Sequence, residues 1–398
     1  MSDSPPDGCI VVVNAGSSSV KFAIYEASFD GVLLFRGQIE QLGLAPRLRM
    51  LDGGGRIVAE REWTKGMLDH GGAVRELLLL GRKLVGDRPV LGIGHRVVHG
   101  GTAFATPTRV NTRVMKALTK LVPLAPLHQP HNLAAIATVT EAAPRLPQVA
   151  CFDTAFHRTQ PALAQEFALP GKYTRDGVRR YGFHGLSYDY VVNRLKETMP
   201  VLSGARLVIA HLGSGASLCA VRDGKSIAST MGFSAIDGLM MGTRTGALDP
   251  GILLYLLQER GMSTEQIEDL LYRQSGLLGV SGISSDMRVL RQSTAPEAAH
   301  AIALFVYRIV REIGSLAAAL GGLDGIVFTA GVGENDPATR SEVSTGCRWL
   351  GLTLDERRNT AGESRISTDT SNVSAWVVPT DEERMIARYT CQLLAGTP

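Results

Sequence analysis

Three Gly- and Ser-rich stretches interrupt apolar runs in this chain: VVVNAGSSSVKFAIYE (11–26), VIAHLGSGASLCAV (208–221) and GIVFTAGVGEN (325–335). Turns of this kind bare successive backbone N–H groups as an anion-binding nest, and serine hydroxyls add further donors. Lys21, just after the first serine cluster, points to phosphate as the anion. A P-loop is excluded, because that motif needs G-x-x-x-x-G-K-[ST] running into a helix. AGSSSVK lacks the second glycine, and FAIYE beyond the lysine alternates like a strand. The first two stretches therefore read as β-hairpin tips, able to grip a polyphosphate from opposite sides.

Further polar residues stand where apolar runs stop. IGHRVVHGG carries His95, Arg96 and His99; APLHQPHN carries His128; CFDTAFH carries Asp153. RRYGFHG carries Arg180 and His184, and MGTRTGALDPG carries Arg244 and Asp249. Each alone is more often structural. Together, arginines and histidines at strand ends with one buried-looking Asp suit a small anion better than a metal cage. A Mg²⁺ ion would need only Asn14 and a late Glu, since it keeps waters and takes phosphate oxygens. In PTDEERMIA, Thr380 reads as an N-cap with Glu383 as its capping-box partner at N3, which leaves Glu382 for magnesium water.

The elements that must position these residues follow from turn chemistry and periodicity. Residues 9–60 read as strands, with Asp30-Gly31 and Asp52-Gly53 as turn dipeptides. Helical patterns lie at about 66–86 and 111–121 with a strand at 92–98 between them; another helix starts at His131 and stops at Pro144, before a buried strand at 149–153. Residues 205–230 repeat the opening order of strand, loop, strand, turn and strand. Laying one on the other puts Asn14 on His211, Gly16 on Gly213 and Ser17 on Ser214, an offset of 211 − 14 = 197 residues in a chain of 398. Duplication of one strand-rich unit, with a cleft between two similar domains, is the favoured reading over a chance match. GLDGIVFTAGVGEN (322–335) reads as a buried strand ending in Gly-rich backbone, with Asp336-Pro337 as N-cap and N1 of the next helix. AIALFVYRIVREIGSLAAAL (301–320) fits either a dimer face or core.

Composition bounds the rest. Apolar content of 44% and charged content of 20% describe an ordinary globular protein, and 398 residues suit two domains. The formal charge is 41 − 38 = +3 with dispersed basic residues, which argues against a nucleic-acid or membrane surface. Five scattered cysteines, none spaced as CxxC, read as reduced cytoplasmic thiols. MSDSPPDG lacks the basic and apolar regions of an export signal, and no apolar window reaches membrane-spanning length.

NAGSSSVK, APLH, FDTAFH, YGFHG, HLGSG, GTRTGALDPG, TAGVGEN and PTDEE occur in the order and spacing of the acetate kinase family, which the chain resembles over nearly its whole length. The resemblance implies an α/β fold of two ribonuclease H-like, actin-like ATPase domains with an interdomain cleft. The N-terminal domain would span 1–150, completed by a helix at 381–398. The C-terminal domain, 151–380, would bind nucleotide and form a homodimer. It also implies the reaction ATP + acetate ⇌ ADP + acetyl phosphate with Mg²⁺, for which Mn²⁺ can substitute. By the same resemblance Asn14 and Glu382 are the metal-associated pair, and Lys21 is a phosphate contact. His211, Leu212, Gly213, Ser214 and Gly215 form the phosphate loop. Asp286, Met287 and Arg288, with Gly331, Val332, Gly333, Glu334 and Asn335, form the adenosine site. Arg96 partners the acetate carboxylate, while Val98, Leu127 and Phe183 wall its methyl group. Asp153 is the catalytic acid, His184 and Arg244 stabilise the transition state, and His128 lies near the transferring phosphoryl.

The sequence departs from the family in three places. HLGSG stands for the usual HLGNG, so Ser214 lacks an amide. HQPHN replaces HNPAN, and FSAIDG replaces F-T-P-L-E-G, which puts Ala235 where a proline often lines the acyl pocket. The last change bears on acyl chain length, so a propionate or other short-chain acyl kinase is the alternative. A nucleotide-switched binding or filament protein on the same fold would leave Arg96, His184 and Arg244 without a partner.

Overall fold

The structure is a computed structural model, described for residues 8–16 and 19–396. Ser17, and with it the proposed match to Ser214, lies outside the described residues. The chain divides into two compact units, residues 1–155 with 381–398, and 156–380.

In the first unit an eight-stranded sheet has the order β5-β4-β3-β2-β1-β6-β8-β7. Its strands are β1 (Cys9–Ala15), β2 (Val20–Glu26), β3 (Leu33–Glu40), β4 (Arg47–Asp52), β5 (Ile57–Glu62), β6 (Val90–Val97), β7 (Thr108–Arg109) and β8 (Gln148–Phe152). β1 is buried at every position, as an unbroken CIVVVNA run requires of a strand covered on both faces. At the far edge β5 carries mostly exposed side chains, and its glutamates pair with arginines of β4, which blunts an otherwise open edge. Helices α1 (His70–Val85), α2 (Thr112–Thr119) and α3 (Gln129–Ala142) complete this unit with a C-terminal helix, Glu382–Ala395. α3 begins two residues before the expected His131.

The C-terminal helix lies against β6 because that strand reads GIGH. A side-chain carbon at Gly94 would sit 2.5 Å from Ile386 Cγ2, and one at Gly92 would sit 2.2 Å from Leu394 Cδ1. Glycine at both positions lets the helix seat directly on the strand. Its first residues, Glu382 and Glu383, thereby arrive where β1 and β6 end, at Asn14 and Arg96.

The second unit has a five-stranded sheet of order β11-β10-β9-β12-β13. Its strands are β9 (Leu207–Leu212), β10 (Ala216–Arg222), β11 (Lys225–Ser229), β12 (Gly325–Thr329) and β13 (Ser374–Val377). Here β9 pairs antiparallel with β10 and parallel with β12, as β1 pairs antiparallel with β2 and parallel with β6. The order β3-β2-β1-β6-β8 thus maps strand for strand onto β11-β10-β9-β12-β13. This agreement in pairing and direction carries the duplication further than the short sequence match did.

Local expectations fare unevenly. Asp336 caps the helix Pro337–Gly346 with Pro337 at its first position. The Gly-rich backbone after β12 is a short helix, Ala330–Asn335, because the Glu334 side chain accepts the Ala330 N–H at 2.7 Å and closes the turn. The 301–320 segment belongs to the helix Pro296–Leu320. It buries Ala298, Ala301, Ile302, Phe305, Ile309, Ile313 and Leu316 at helical spacing, so that face is core.

Candidate active site

In the first unit, the ends of β1, β6 and β8 place Asn14, Arg96 and Asp153 together. Asp153 is 1% exposed, and both its oxygens accept from Arg96: Nε at 3.0 and 3.2 Å, Nη2 at 2.6 Å. This two-point pair is the strong form of an arginine–carboxylate contact. It engages the Asp153 carboxylate in holding the Arg96 guanidinium. Burial raises the affinity of Asp153 for a proton and Arg96 opposes it. On Arg96 burial acts to lower the pKa, but the carboxylates of Asp153, Glu382 and Glu383 outweigh it and hold the guanidinium firmly charged.

Arg96 Nη1 has only a long 3.4 Å contact with Asn14 Oδ1, and Glu382 lies 3.7 Å from Nε. Asn14 Nδ2 donates to Glu383 Oε1 at 3.2 Å. The expected capping box is therefore wrong. Asp381 is the N-cap, accepting the Arg384 N–H at 2.8 Å, so Glu383 falls at N2 with its carboxylate directed to Asn14. Thr380 instead donates its backbone N–H to Glu334. Three carboxylates now surround one guanidinium. This excess negative charge, with an amide oxygen beside it, fits a divalent cation that keeps most of its waters. Among the described residues no group of three or more His, Cys, Asp or Glu forms a complete metal cage.

Asn132, missed by sequence reasoning, ties this region together. It accepts the Val98 N–H at 2.9 Å and donates to Ala15 O at 2.7 Å, clamping the ends of β6 and β1. An asparagine one turn into an alanine-rich helix, next to an HxP segment, was the available sign. Val98 is buried, Leu127 is half-buried, and His128 stands at the N-cap of α3. Lys21 is exposed on β2, in register with Asn14.

In the second unit, Gly213, Ser214 and Gly215 form the tight turn between β9 and β10, closed by Gly213 N–H to Gly215 O at 3.1 Å. Ser214 is exposed. A side-chain carbon at Gly215 would lie 3.2 Å from His184 Nε2 and 3.5 Å from Arg244 Nη2, so the missing side chain leaves the turn's backbone next to both groups. Arg244 is anchored by Nη1 donating to Ala235 O at 2.7 Å. His184 precedes the helix Gly185–Thr198 in the left-handed region, φ 57°, a conformation that costs energy in a non-glycine residue and recurs at functional sites. Ala330, next to the turn, shares that property at φ 65°.

Behind these groups lie polar residues that sequence reasoning passed over. His184 Nδ1 is 2.9 Å from Ser217 Oγ, which also bonds the buried Tyr188 hydroxyl. His211 Nδ1 is 2.8 Å from Ser187 Oγ, itself bonded to Thr380. A serine inside the apolar strand ASLCAV was the sign for the first. Phe183 is buried, with its carbonyl 2.8 Å from His157 Nε2. Arg180 pairs with Asp237, and Asp249 caps the helix Pro250–Gln258. These two are structural.

The expected adenosine residues divide. Asp286 caps the helix Met287–Gln292 and pairs with the exposed Arg288 at 2.6 Å, while Met287 is buried. Arg291 donates to Asp336 at 3.3 Å, tying that helix to the residue following Asn335. Gly331 is exposed with open space around it, Val332 is half-buried and Gly333 is buried. Glu334 is spent on backbone N–H groups at 330 and 380, and Asn335 donates to Gly331 O. Glu334 thus ties the start of its own helix to residue 380.

The arrangement has known counterparts. An acetate kinase from Methylocella silvestris is 49% identical over 395 residues, covering 97% of this chain and 98% of its own. One from Rhodopseudomonas palustris is 50% identical over 393 residues with the same coverage. Among solved structures, a propionate kinase from Francisella tularensis superposes with a TM-score of 0.89 at 35% identity, covering 96% of this chain and 98% of its own. Acetate kinase from Porphyromonas gingivalis gives 0.83 at 36%, with the same coverage. The family model described as the acetokinase family matches residues 9–388, and with relatives this similar along almost the full length, the chain belongs to that family.

Proposed function

We propose that this chain is a Mg²⁺-dependent acetate kinase, moving the γ-phosphoryl group of ATP reversibly to acetate. An acetate oxygen forms a bond to the γ-phosphorus as the bond from that phosphorus to the β–γ bridging oxygen breaks, and ADP leaves with the electron pair. No proton need move. Such a transfer asks the protein for positioning and charge stabilisation rather than covalent chemistry. The proximity of His184 Nε2 and Arg244 Nη2 to the backbone of Gly215 carries the proposal, since it sets two donors beside an anion-binding turn.

In this reading Arg96 takes the acetate carboxylate through Nη1, held in place by Asp153. Val98, Leu127 and Phe183 exclude water from the methyl group. Arg244 and His184 stabilise charge on the equatorial oxygens of the transferring group, a task suited to a planar, permanently charged guanidinium. Lys21 and the 211–215 turn receive phosphate oxygens, and the 286–288 and 331–335 segments flank the adenosine. Asn14 and Glu382, with Glu383 beside them, would hold Mg²⁺ through water; when bound, that ion neutralises β- and γ-phosphate charge.

The chain works as a homodimer in the cytoplasm. The helix Pro250–Gln258 supports the dimer: none of its residues is buried, and Ile252, Leu254, Tyr255 and Leu257 stand exposed. Five free cysteines, four of them buried, suit a reducing compartment. Among the described residues no helix is long and apolar enough to cross a membrane.

The test is an acyl-hydroxamate assay with ATP, Mg²⁺ and acetate, propionate or butyrate. Acetate has four heavy atoms, so at about −1.5 kcal/mol per atom its Kd cannot fall below roughly tens of micromolar. A methylene alters discrimination by only ~1–3 kcal/mol, so propionate should react more weakly without being refused. Absence of acyl phosphate with every acid would overturn the assignment.

A further inference from the structure

The first unit holds a cavity of about 930 Å³ that none of the residues assigned above enters. Its floor reaches core side chains of the sheet: Val11, Phe22, Ile24 and Ile93. One wall is a single face of α1, on which Arg75, Leu78, Leu79, Arg82 and Val85 follow each other at helical spacing. The opposite rim is the end of α3 and the turn after it, where Ala142, Ala143 and Pro144 are too small to close the gap and Arg145 stands at the edge. Leu79 is left 68% exposed.

The charge on this cavity is one-sided. Four arginines line it, Arg75, Arg82, Arg88 and Arg145, against the single acid Asp87. Arg88 makes a distant 3.7 Å pair with Glu26. Among the described residues the side chains of Arg75, Arg82 and Arg145 make no hydrogen bond or ion pair. An open apolar groove under a rim of guanidiniums, three of them uncommitted, matches an extended hydrocarbon chain that ends in an anionic head. Guanidinium recognises a carboxylate by paired N–H···O contacts, and the size lies within the ~300–1,000 Å³ of small-molecule sites.

We infer that this cavity binds a single free fatty-acyl carboxylate, with its chain against Leu78, Leu79 and Val85 and its head on the arginine rim. The site is separate from Asn14, Arg96 and Asp153, which lie at the ends of β1, β6 and β8.

The probe is dodecanoate, kept below its micelle concentration and titrated calorimetrically into the full-length protein with saturating acetate and ATP analogue present. Binding should persist under those conditions and raise the melting temperature, as any ligand selective for the folded state does. Dodecanol, acetate and inorganic phosphate should each fail, since each lacks one half of the recognised molecule. The double variant Arg75→Glu/Arg145→Glu, and separately Leu79→Asp, should weaken dodecanoate at least about tenfold. All three positions are exposed, so folding and basal activity should be retained. Displacement by acetate, equal binding of dodecanol, or affinity unchanged in both variants would overturn the inference. So would association with phosphatidylglycerol vesicles without binding of monomeric dodecanoate.

Discussion

The imidazole rings of His184 and His211 stack with centroids 4.2 Å apart and planes 18° from parallel, and each turns its Nδ1 to a serine hydroxyl. Both rings are therefore fixed in rotation, and the Nε2 of His184 is aimed at the Gly215 turn. If that aim matters, Ser217→Ala should lower kcat by about ten- to a hundredfold with little change in the KM for ATP. The pH–rate profile should also shift, because the imidazole loses a hydrogen bond whose strength differs between its neutral and charged forms. Tyr188→Phe, one bond further back, should do less. A wild-type profile in Ser217→Ala would assign the serine to packing alone.

Arg244 should behave as a transition-state group. Arginines in that position are worth ~10³–10⁵ in rate. Arg244→Ala is therefore expected to reduce kcat at least ~10³-fold with modest KM changes, as measured by coupled ADP release. A loss below tenfold would strike it from the catalytic residues.

The pair Arg96–Asp153 should reveal itself through stability. Removing one partner of a buried pair leaves an uncompensated charge, at a cost of roughly 3–5 kcal/mol. Arg96→Ala should therefore lower urea stability by about 3 kcal/mol, since the arginine is partly solvated. It should also raise the acetate KM steeply. Adding Asp153→Asn should restore part of the stability but none of the acetate affinity. Additive losses in the double variant would show that the two do not act as a unit.

Acid should unfold the protein through its buried histidines. Burial holds His95, His99 and His157 down at about 4, against an ordinary value of 6.5. In that window the unfolded chain binds protons that the folded chain does not. The associated stability is thus complete above pH 6.5 and is lost as the pH falls towards 4, by up to about 3 kcal/mol per histidine. His95→Asn should flatten the fall in melting temperature between pH 7 and 4.5. An unchanged slope would mean that His95 already titrates normally in the folded protein.

Much of this was legible in sequence because local chemistry dictates it. The Asp-Gly and Asp-Pro steps set turns and caps where expected, and the β1–β2 and β9–β10 hairpins follow from apolar runs broken by Gly and Ser. Local reasoning failed at PTDEE, where two adjacent residues, Thr380 and Asp381, compete for one cap. Thr380 and Glu383 satisfied a capping template, yet Asp381 took the cap because Thr380 and Glu383 were drawn to partners elsewhere in the chain. The bonds of Glu334 were equally hidden from local reasoning: inside a Gly-rich motif, it satisfies two backbone donors of its own unit.

The sequence by itself determined the strand and turn order, the duplicated frame and the residue types capable of handling phosphate, all of which depend on contacts between near neighbours. Only tertiary structure decided which acid reaches Asn14, across 369 residues of chain, and which serine orients which histidine. Such choices rest on how closely a helix can seat on a strand. Here two glycines of β6 made that distance short, and no pattern within the helix itself encodes it.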